Sequence, residues 1–500
     1  MAGAVTGLVQ ELRGIDDVGS LPRPVRGGRR APTRGAVSVG LADQDLVKRD
    51  LLIITRRLGK DHFVGRASSE RLRALLDGSS SAVRLKVDHL RRSTSEAKAV
   101  LVVWAIDNWS TFHRKEMLAA LARHLRDAYD VLIVEPGENF KTTQENGWSS
   151  RAELEQFVKL KPEQIDENLY RIRLISRGLQ VSSPIAAINR GKLAPAGITQ
   201  SVIAHIFGTR RRVVHWIYKP DQLKWCPRGH PFVMEVYDDY AVNFATGVQI
   251  TEMQVAERVA LPAAEHVFFT SHPLAERKSG AARSWSVIGN GVAVESFAAY
   301  RYSGPRHKTQ RPAVGYLGNL SNFFDWEMML EVAERMPDVD FRFYGPVEWK
   351  RLGEQSETAE RLGKLPNTLF AGRVGREQGA AAIAECDALI IPFRVNEAMH
   401  AVNPLKLWEY FAVGRPVVST PIAAIEARPP LVRFSCTADD WMRSLRNAIT
   451  EEDSAIAFER IRLAEAHSWT TLTARHAEIL LSLNEFGGEA TSPPKWGRPL

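Results

Sequence analysis

The stretch from Cys386 to Thr420, CDALIIPFRVNEAMHAVNPLKLWEYFAVGRPVVST, constrains the fold more than any other part of the chain. Ala388 to Phe393 form an apolar run suited to a strand buried on both faces. A polar loop follows, and Asn403-Pro404 read as a helix start, with Asn403 supplying an acceptor for free amides and Pro404 fitting the first turn. Leu405, Trp408 and Ala412 recur at helical spacing, Gly414 and Pro416 stop the helix, and Val417 to Thr420 make a second strand. Strand, loop, helix, strand is the repeating unit of a parallel sheet. Ligands of such sheets sit beyond the carboxyl ends of the strands, near helix amino termini that attract phosphate. Lys406 and Glu409 lie in or near the first turn, so a cation and a carboxylate face that position. The other reading of the two is an i,i+3 pair on a helix surface.

The same unit recurs. Val100 to Ala105 read as a strand, Ile106 to Phe112 as a polar-aromatic loop, His113 to Asp127 as a helix burying Met117, Leu121 and Leu125, and Val131 to Val134 as the next strand. Tyr170 to Ile175, Val213 to Tyr218, Met234 to Tyr237 and His266 to Thr270 continue as strands, with helices near Thr199 to Phe207, over Met253 to Ala260, and from Ser271. A fresh start follows at Pro312: strand Val314 to Leu317, loop Gly318 to Phe324, helix Asp325 to Met336, strand Phe341 to Tyr344. Asn367 to Phe370 and the helix Glu377 to Glu385 lead into the opening stretch, and Asp453 to Leu483 are helical around His467-Ser468-Trp469. The expected organisation is a basic disordered arm over 1–41, an extension of no assigned role over 42–97, a first α/β domain over 98–299 and a hinge over 300–311. A second domain over 312–452, closing helices over 453–486 and a disordered tail over 487–500 complete it. Two similar α/β domains facing across a cleft are the simplest architecture.

At 500 residues, 44% hydrophobic and 25% charged, the chain suits two globular domains. No apolar run reaches the length of a transmembrane helix and no signal-like core opens the sequence, so the cytoplasm is the expected compartment. Cys226, Cys386 and Cys436 are widely spaced and suggest neither a disulfide framework nor a zinc site. The net charge of +8 fits an anionic partner, and the arginines of the first 41 residues suit peripheral contact with the inner face of an anionic membrane or a solvated tail. No aromatic-interleaved basic stripe or helix-turn-helix signal points to nucleic acid.

The run NPLKLWEYFAVGRPVVST resembles the donor-binding segment of retaining GT-B glycosyltransferases of group 1 (family 4-like), the group that includes sugar transferases of bacterial polysaccharide and teichuronic acid synthesis. SVIGNGVAVESF, Ser286 to Phe297, resembles the segment that closes the amino-terminal domain of that group, with Gly289 where the group has proline. The resemblance spans roughly Val100 to Leu483. It implies two Rossmann-like domains with a carboxy-terminal helix crossing back to the first, and transfer of a sugar from a nucleotide-diphosphate sugar to a glycan or lipid-linked acceptor. The implied setting is bacterial surface polysaccharide synthesis, with retention and with no metal or other cofactor. In the group, the glutamate equivalent to Glu409 holds the ribose, and a glutamate eight positions earlier contacts the donor sugar. Here that earlier position is Ala401 and the nearest acid is Glu397. A non-catalytic binder of nucleotide sugar or glycan and a sugar-nucleotide epimerase on the same fold stay open as alternatives.

Lys406 is the leading candidate to stabilise the diphosphate, with Asn403 and the Gly318 turn beside it. The group's arginine and lysine after the strand Val314 to Leu317 are replaced by GNLSNFFDWE, where Asn319 can donate hydrogen bonds without neutralising charge. Arg373 and Arg394, each following a strand, are the candidates to substitute, and a surface arginine is the alternative for both. On the other domain, Asp107, Asn108, Trp109 and His113 resemble the loop that faces the acceptor: Trp109 could stack on a sugar and Asp107 position a hydroxyl, or the two could be a lid tryptophan and a capping aspartate. Asp238 and Asp239 close another strand; Asp239 joins the acceptor-side candidates. His215, inside an apolar strand, reads as a satisfied buried histidine. Asp107, Glu397 and Lys406 are the catalytic candidates, and no residue has metal-ligand spacing.

Overall fold

A computed structural model describes residues 98–136, 162–173, 203, 207, 211–227, 229–243, 247–304, 311–427 and 429–485. The expectations for 1–41, 42–97 and 487–500, and most of the helix expected near Thr199 to Phe207, lie outside the described residues, as do 305–310 of the expected hinge.

Two sheets form two lobes. The first contains β1 (Ala99–Trp104), β2 (Tyr129–Glu135), β3 (Glu163–Asp166), β4 (Leu169–Arg173), β5 (Val213–Ile217), β6 (Phe232–Val236), β7 (His266–Phe269) and β8 (Trp285–Val287). Their order is β3-β4-β2-β1-β5-β6-β7-β8, parallel except for the β3–β4 hairpin. The second contains β9 (Ala313–Leu317), β10 (Asp340–Tyr344), β11 (Thr368–Gly372), β12 (Ala388–Ile391), β13 (Val417–Ser419) and β14 (Val432–Phe434). This sheet is parallel throughout, in the order β11-β10-β9-β12-β13-β14.

The helices are α1 (Lys115–His124), α2 (Thr251–Ala263), α3 (His272–Lys278), α4 (Trp326–Arg335), α5 (Trp349–Leu352), α6 (Ser356–Gly363), α7 (Arg376–Ala384), α8 (Leu405–Val413), α9 (Ala438–Ile449), α10 (Ser454–Ala466) and α11 (Trp469–Glu485). Strand β1 shows why its sequence is apolar without a break. Leu101 and Val103 enter a core under α1 and α11, while Val100, Val102 and Trp104 enter the core on the opposite face, with Ala260 and Leu261 of α2. A strand buried on both faces has no polar side to alternate.

Helix α1 starts at Lys115 rather than His113, because residues 108–112 form a turn in which the amides of Thr111 and Phe112 donate to the Asn108 carbonyl. Helix α8 ends as expected, on Gly414 at φ 77°. Its start differs: Pro404 is the cap residue, and the Asn403 side chain caps no amide of the helix because it is engaged with the other lobe. The closing segment breaks into two helices at His467-Ser468-Trp469. There the Val292 amide donates to the His467 carbonyl and the Trp469 amide to the Val292 carbonyl, so two segments prominent in the sequence, Asn290-Gly291 and His467-Ser468-Trp469, are partners. A Cβ on Gly291 would sit 2.6 Å from the His467 carbonyl oxygen, which is why that seam requires glycine. Beyond it, α11 returns to lobe 1, where Leu472, Ala477 and Leu480 join the core under α1.

Candidate functional site

The carboxyl ends of β9 and β12 meet α8. The Tyr410 hydroxyl accepts from the Leu317 amide at 2.9 Å and donates to the Ile390 carbonyl at 3.4 Å, fastening α8 over the ends of β9 and β12. One turn earlier, the Lys406 ammonium lies 4.4 Å from the Phe393 ring centroid and 4.9 Å from that of Tyr316. Gly318 adopts φ 140°, and a Cβ there would fall 3.3 Å from Lys406 Nζ, so the turn opens its backbone toward the ammonium. Burial lowers the Lys406 pKa from 10.5 to about 8, with the Glu409 charge pulling the other way. The Glu409 carboxyl is raised by burial, opposed by Arg376 and Lys406 and assisted by Glu116. Arg376, in the first turn of α7, pairs at 2.5 Å with Glu116 of α1, on the opposite lobe. Sequence reading passed over Arg376 and Glu116, since nothing local signals an ion pair between residues 260 positions apart.

The other donor-side candidates are placed differently. Asn319 is exposed, and its carbonyl accepts from the Tyr316 hydroxyl at 2.8 Å. Arg373 and Arg394 lie at strand exits as expected, but both are exposed. Glu397 is also exposed, and its backbone carbonyl, not its carboxylate, receives Arg277 of α3 at 3.4 Å. Ala401 is buried in the core shared with β1 and α2 of lobe 1, and its carbonyl accepts from Ser271 at 2.7 Å. Asn403 donates to the Thr270 carbonyl at 3.0 Å and accepts from Trp408 Nε1 at 3.4 Å. The loop between β12 and α8 is therefore seated on the carboxyl end of β7, and the two sheets meet there.

On lobe 1, Asp107 is exposed and its carboxylate accepts the amide of Asn108 at 2.8 Å, a turn-closing contact. The Trp109 amide donates to Glu135 at the end of β2, at 2.6 Å, which fixes the half-buried indole on this edge of the lobe. His113 sits edge-on to Tyr237, with centroids 5.0 Å apart. Asp239 is buried in ion pairs with Lys278 at 2.9 Å and Arg277 at 3.5 Å, which join α3 to the segment after β6. Its neighbour Asp238 is only half-buried; burial pushes its carboxyl to about 7, with Arg114 and Lys219 opposing. His215 is satisfied as expected, accepting from Trp104 Nε1 at 3.2 Å and meeting His230 at 3.2 Å. Among the described residues no helix is long and apolar enough to cross a membrane.

Two parallel α/β sheets meeting near their carboxyl ends, with the last helix returned to the first lobe, define the GT-B fold of glycosyltransferases. Solved structures agree. Sucrose-phosphate synthase from Thermosynechococcus elongatus superposes with a TM-score of 0.58 at 13% identity, covering 78% of this chain and 100% of that one. The Anabaena protein HepE in complex with UDP and glucose gives 0.53 at 14% identity, covering 77% and 100%. Residues 311–450, which make up most of the second lobe, match the family model of glycosyl transferases group 1. Among curated proteins, the chain is 31% identical over 136 residues to TuaH of Bacillus subtilis (strain 168), named as a putative teichuronic acid biosynthesis glycosyltransferase. That match covers 27% of this chain and about a third, 33%, of the length of TuaH.

Proposed function

We propose that the protein transfers a sugar, with retention and without a metal, from a nucleotide-diphosphate sugar to a glycan or lipid-linked acceptor in bacterial surface polysaccharide synthesis. The observation that carries this reading is the Lys406 ammonium set against the open Gly318 turn at the carboxyl edge of the second sheet, with Glu409 one turn further along α8. A departing diphosphate at that turn is neutralised by Lys406 and faces the amino-terminal end of α8. Glu409 accepts from the ribose hydroxyls. The acceptor enters from lobe 1, across Trp109 and Asp107, and its hydroxyl proton passes to the leaving phosphate. The glycosyl transferases group 1 match over 311–450 and the resemblance to TuaH support the same class of chemistry. One observation favours a second reading, binding without transfer: Ala401, at the position where the resembling group contacts donor sugar, is packed into lobe 1.

The test is to titrate the purified protein with UDP-, GDP- and dTDP-sugars and follow binding, hydrolysis and epimer formation for the wild type and Glu409→Ala. Binding by the wild type, and at least tenfold weaker binding by the variant, is expected for a charged hydrogen-bond acceptor to ribose worth about 1.5–3 kcal/mol. Equal binding by both would remove Glu409 from the donor site. Binding with no transfer to any acceptor would favour the second reading.

A further inference from the structure

We infer that Arg114 is a positioning residue for the donor helix α8, acting through the amide of Asn290 on the backbone carbonyl of Asn403. The inference rests on the donor site proposed above. Arg114 precedes α1 in lobe 1, and its side chain is 1% exposed. It pairs with Glu235 of β6 at 3.0 Å, lies 4.5 Å above the Tyr237 ring, and donates from Nη1 to Asn290 Oδ1 at 2.5 Å. The far side of the same amide is also used: Asn290 Nδ2 donates to the Asn403 carbonyl at 2.5 Å. With Oδ1 turned to a cation, Nδ2 has one direction left, toward the loop that enters α8. Asn403 is then held at three points, by Asn290, by the Thr270 carbonyl and by Trp408, whose ring stacks on His467 at 3.7 Å. Lys406 follows three residues later.

A buried ion pair is a poor device for stability alone, since well-packed apolar residues of similar volume serve as well or better. Here the pair is incompletely satisfied, because Arg114 Nε has no hydrogen-bond partner among the described residues. Its geometry instead does something apolar residues cannot: it orients one amide, and that amide selects one position for the start of α8. Gly289 belongs to the same fit, since a Cβ there would come within 3.3 Å of Asn403 Nδ2.

Asn290→Asp breaks the link, because it keeps an acceptor for Arg114 and puts a carboxylate oxygen where the donor to Asn403 was. A second variant, Arg114→Met with Glu235→Leu, removes both buried charges without stranding either. Each is measured for its urea midpoint, for UDP, GDP and dTDP affinity by calorimetry, and for hydrogen exchange over residues 401–409 in the free protein. Both should exchange about tenfold faster over that segment and bind the preferred nucleotide about tenfold more weakly, and the Arg114→Met, Glu235→Leu variant should do so at the wild-type midpoint or above it. Unchanged exchange in folded Asn290→Asp would overturn the relay whether or not a nucleotide binds. Wild-type protein that binds none of the three would overturn the donor site instead, leaving exchange to decide on Arg114.

Discussion

Lys406→Met sets stability against function in opposite directions. Burial drops the lysine from 10.5 to about 8, so at neutral pH the folded protein carries a charge that its surroundings disfavour by about 3 kcal/mol. The faces of Phe393 and Tyr316 return part of that, on the order of 0.5–2 kcal/mol. Methionine fills the same space without the charge, so the variant should gain about 1–2 kcal/mol by urea denaturation at pH 7. The sign with pH follows from proton counting. Between pH 8 and 10.5 the unfolded chain holds the proton that the folded one has released, so wild-type stability rises with pH and its deficit against the variant closes. Nucleotide affinity should move the other way. Removing a charged donor to diphosphate costs about 1.5–3 kcal/mol, a weakening of roughly 10- to 150-fold, and wild-type affinity should itself decline as pH rises past 8. Calorimetric titration of the preferred nucleotide at pH 7 and 9.5, beside urea curves at both, reads all of these quantities. A variant that loses stability and binds nucleotide as the wild type does would make Lys406 a packing cation for two rings and nothing more.

Gly291→Ala tests the seam between the lobes. The added methyl meets the His467 carbonyl at 2.6 Å and the Leu472 side chain at 2.9 Å, so a loss of about 1–3 kcal/mol in urea denaturation is expected, and an unchanged midpoint would mean that the seam yields easily. Trp109→Ala should lower acceptor-dependent turnover up to about tenfold while leaving nucleotide affinity near wild type, as for loss of a stacking face worth about 0.5–1.5 kcal/mol. Weaker nucleotide binding with intact acceptor use would move that indole out of the acceptor path.

The strands and helices around the site were legible because a parallel sheet writes its pattern locally: an apolar run, a polar loop, an amphipathic stretch. What pairs across the fold was not. Asn403-Pro404 carries the same signature whether the asparagine caps its own helix or reaches Thr270 on the other lobe, and only the second occurs. Arg373 and Arg394 were placed correctly at strand exits, but the direction of a long side chain is set by neighbours that spacing does not reveal, and both point outward. Asp238 and Asp239 are adjacent and chemically alike, and what separates them is Lys278, some forty residues on, which claims Asp239. Strand β3, charged and largely exposed at the sheet edge, offered no apolar run to find, whereas its partner β4 overlaps the strand expected from Tyr170.

Helix α11 has a consequence for how the molecule comes into being. The Tyr129 hydroxyl, at the start of β2, donates to the Leu480 carbonyl, 351 positions later. During synthesis the first lobe therefore emerges with the apolar flank of Met117 and Leu121 uncovered, and it stays so while the whole second lobe is made. The second lobe, by contrast, is drawn largely from one continuous stretch and can close soon after it leaves the ribosome. The order of completion is thus the reverse of the order of translation: the half made second is finished first, and the half made first waits for the last helix.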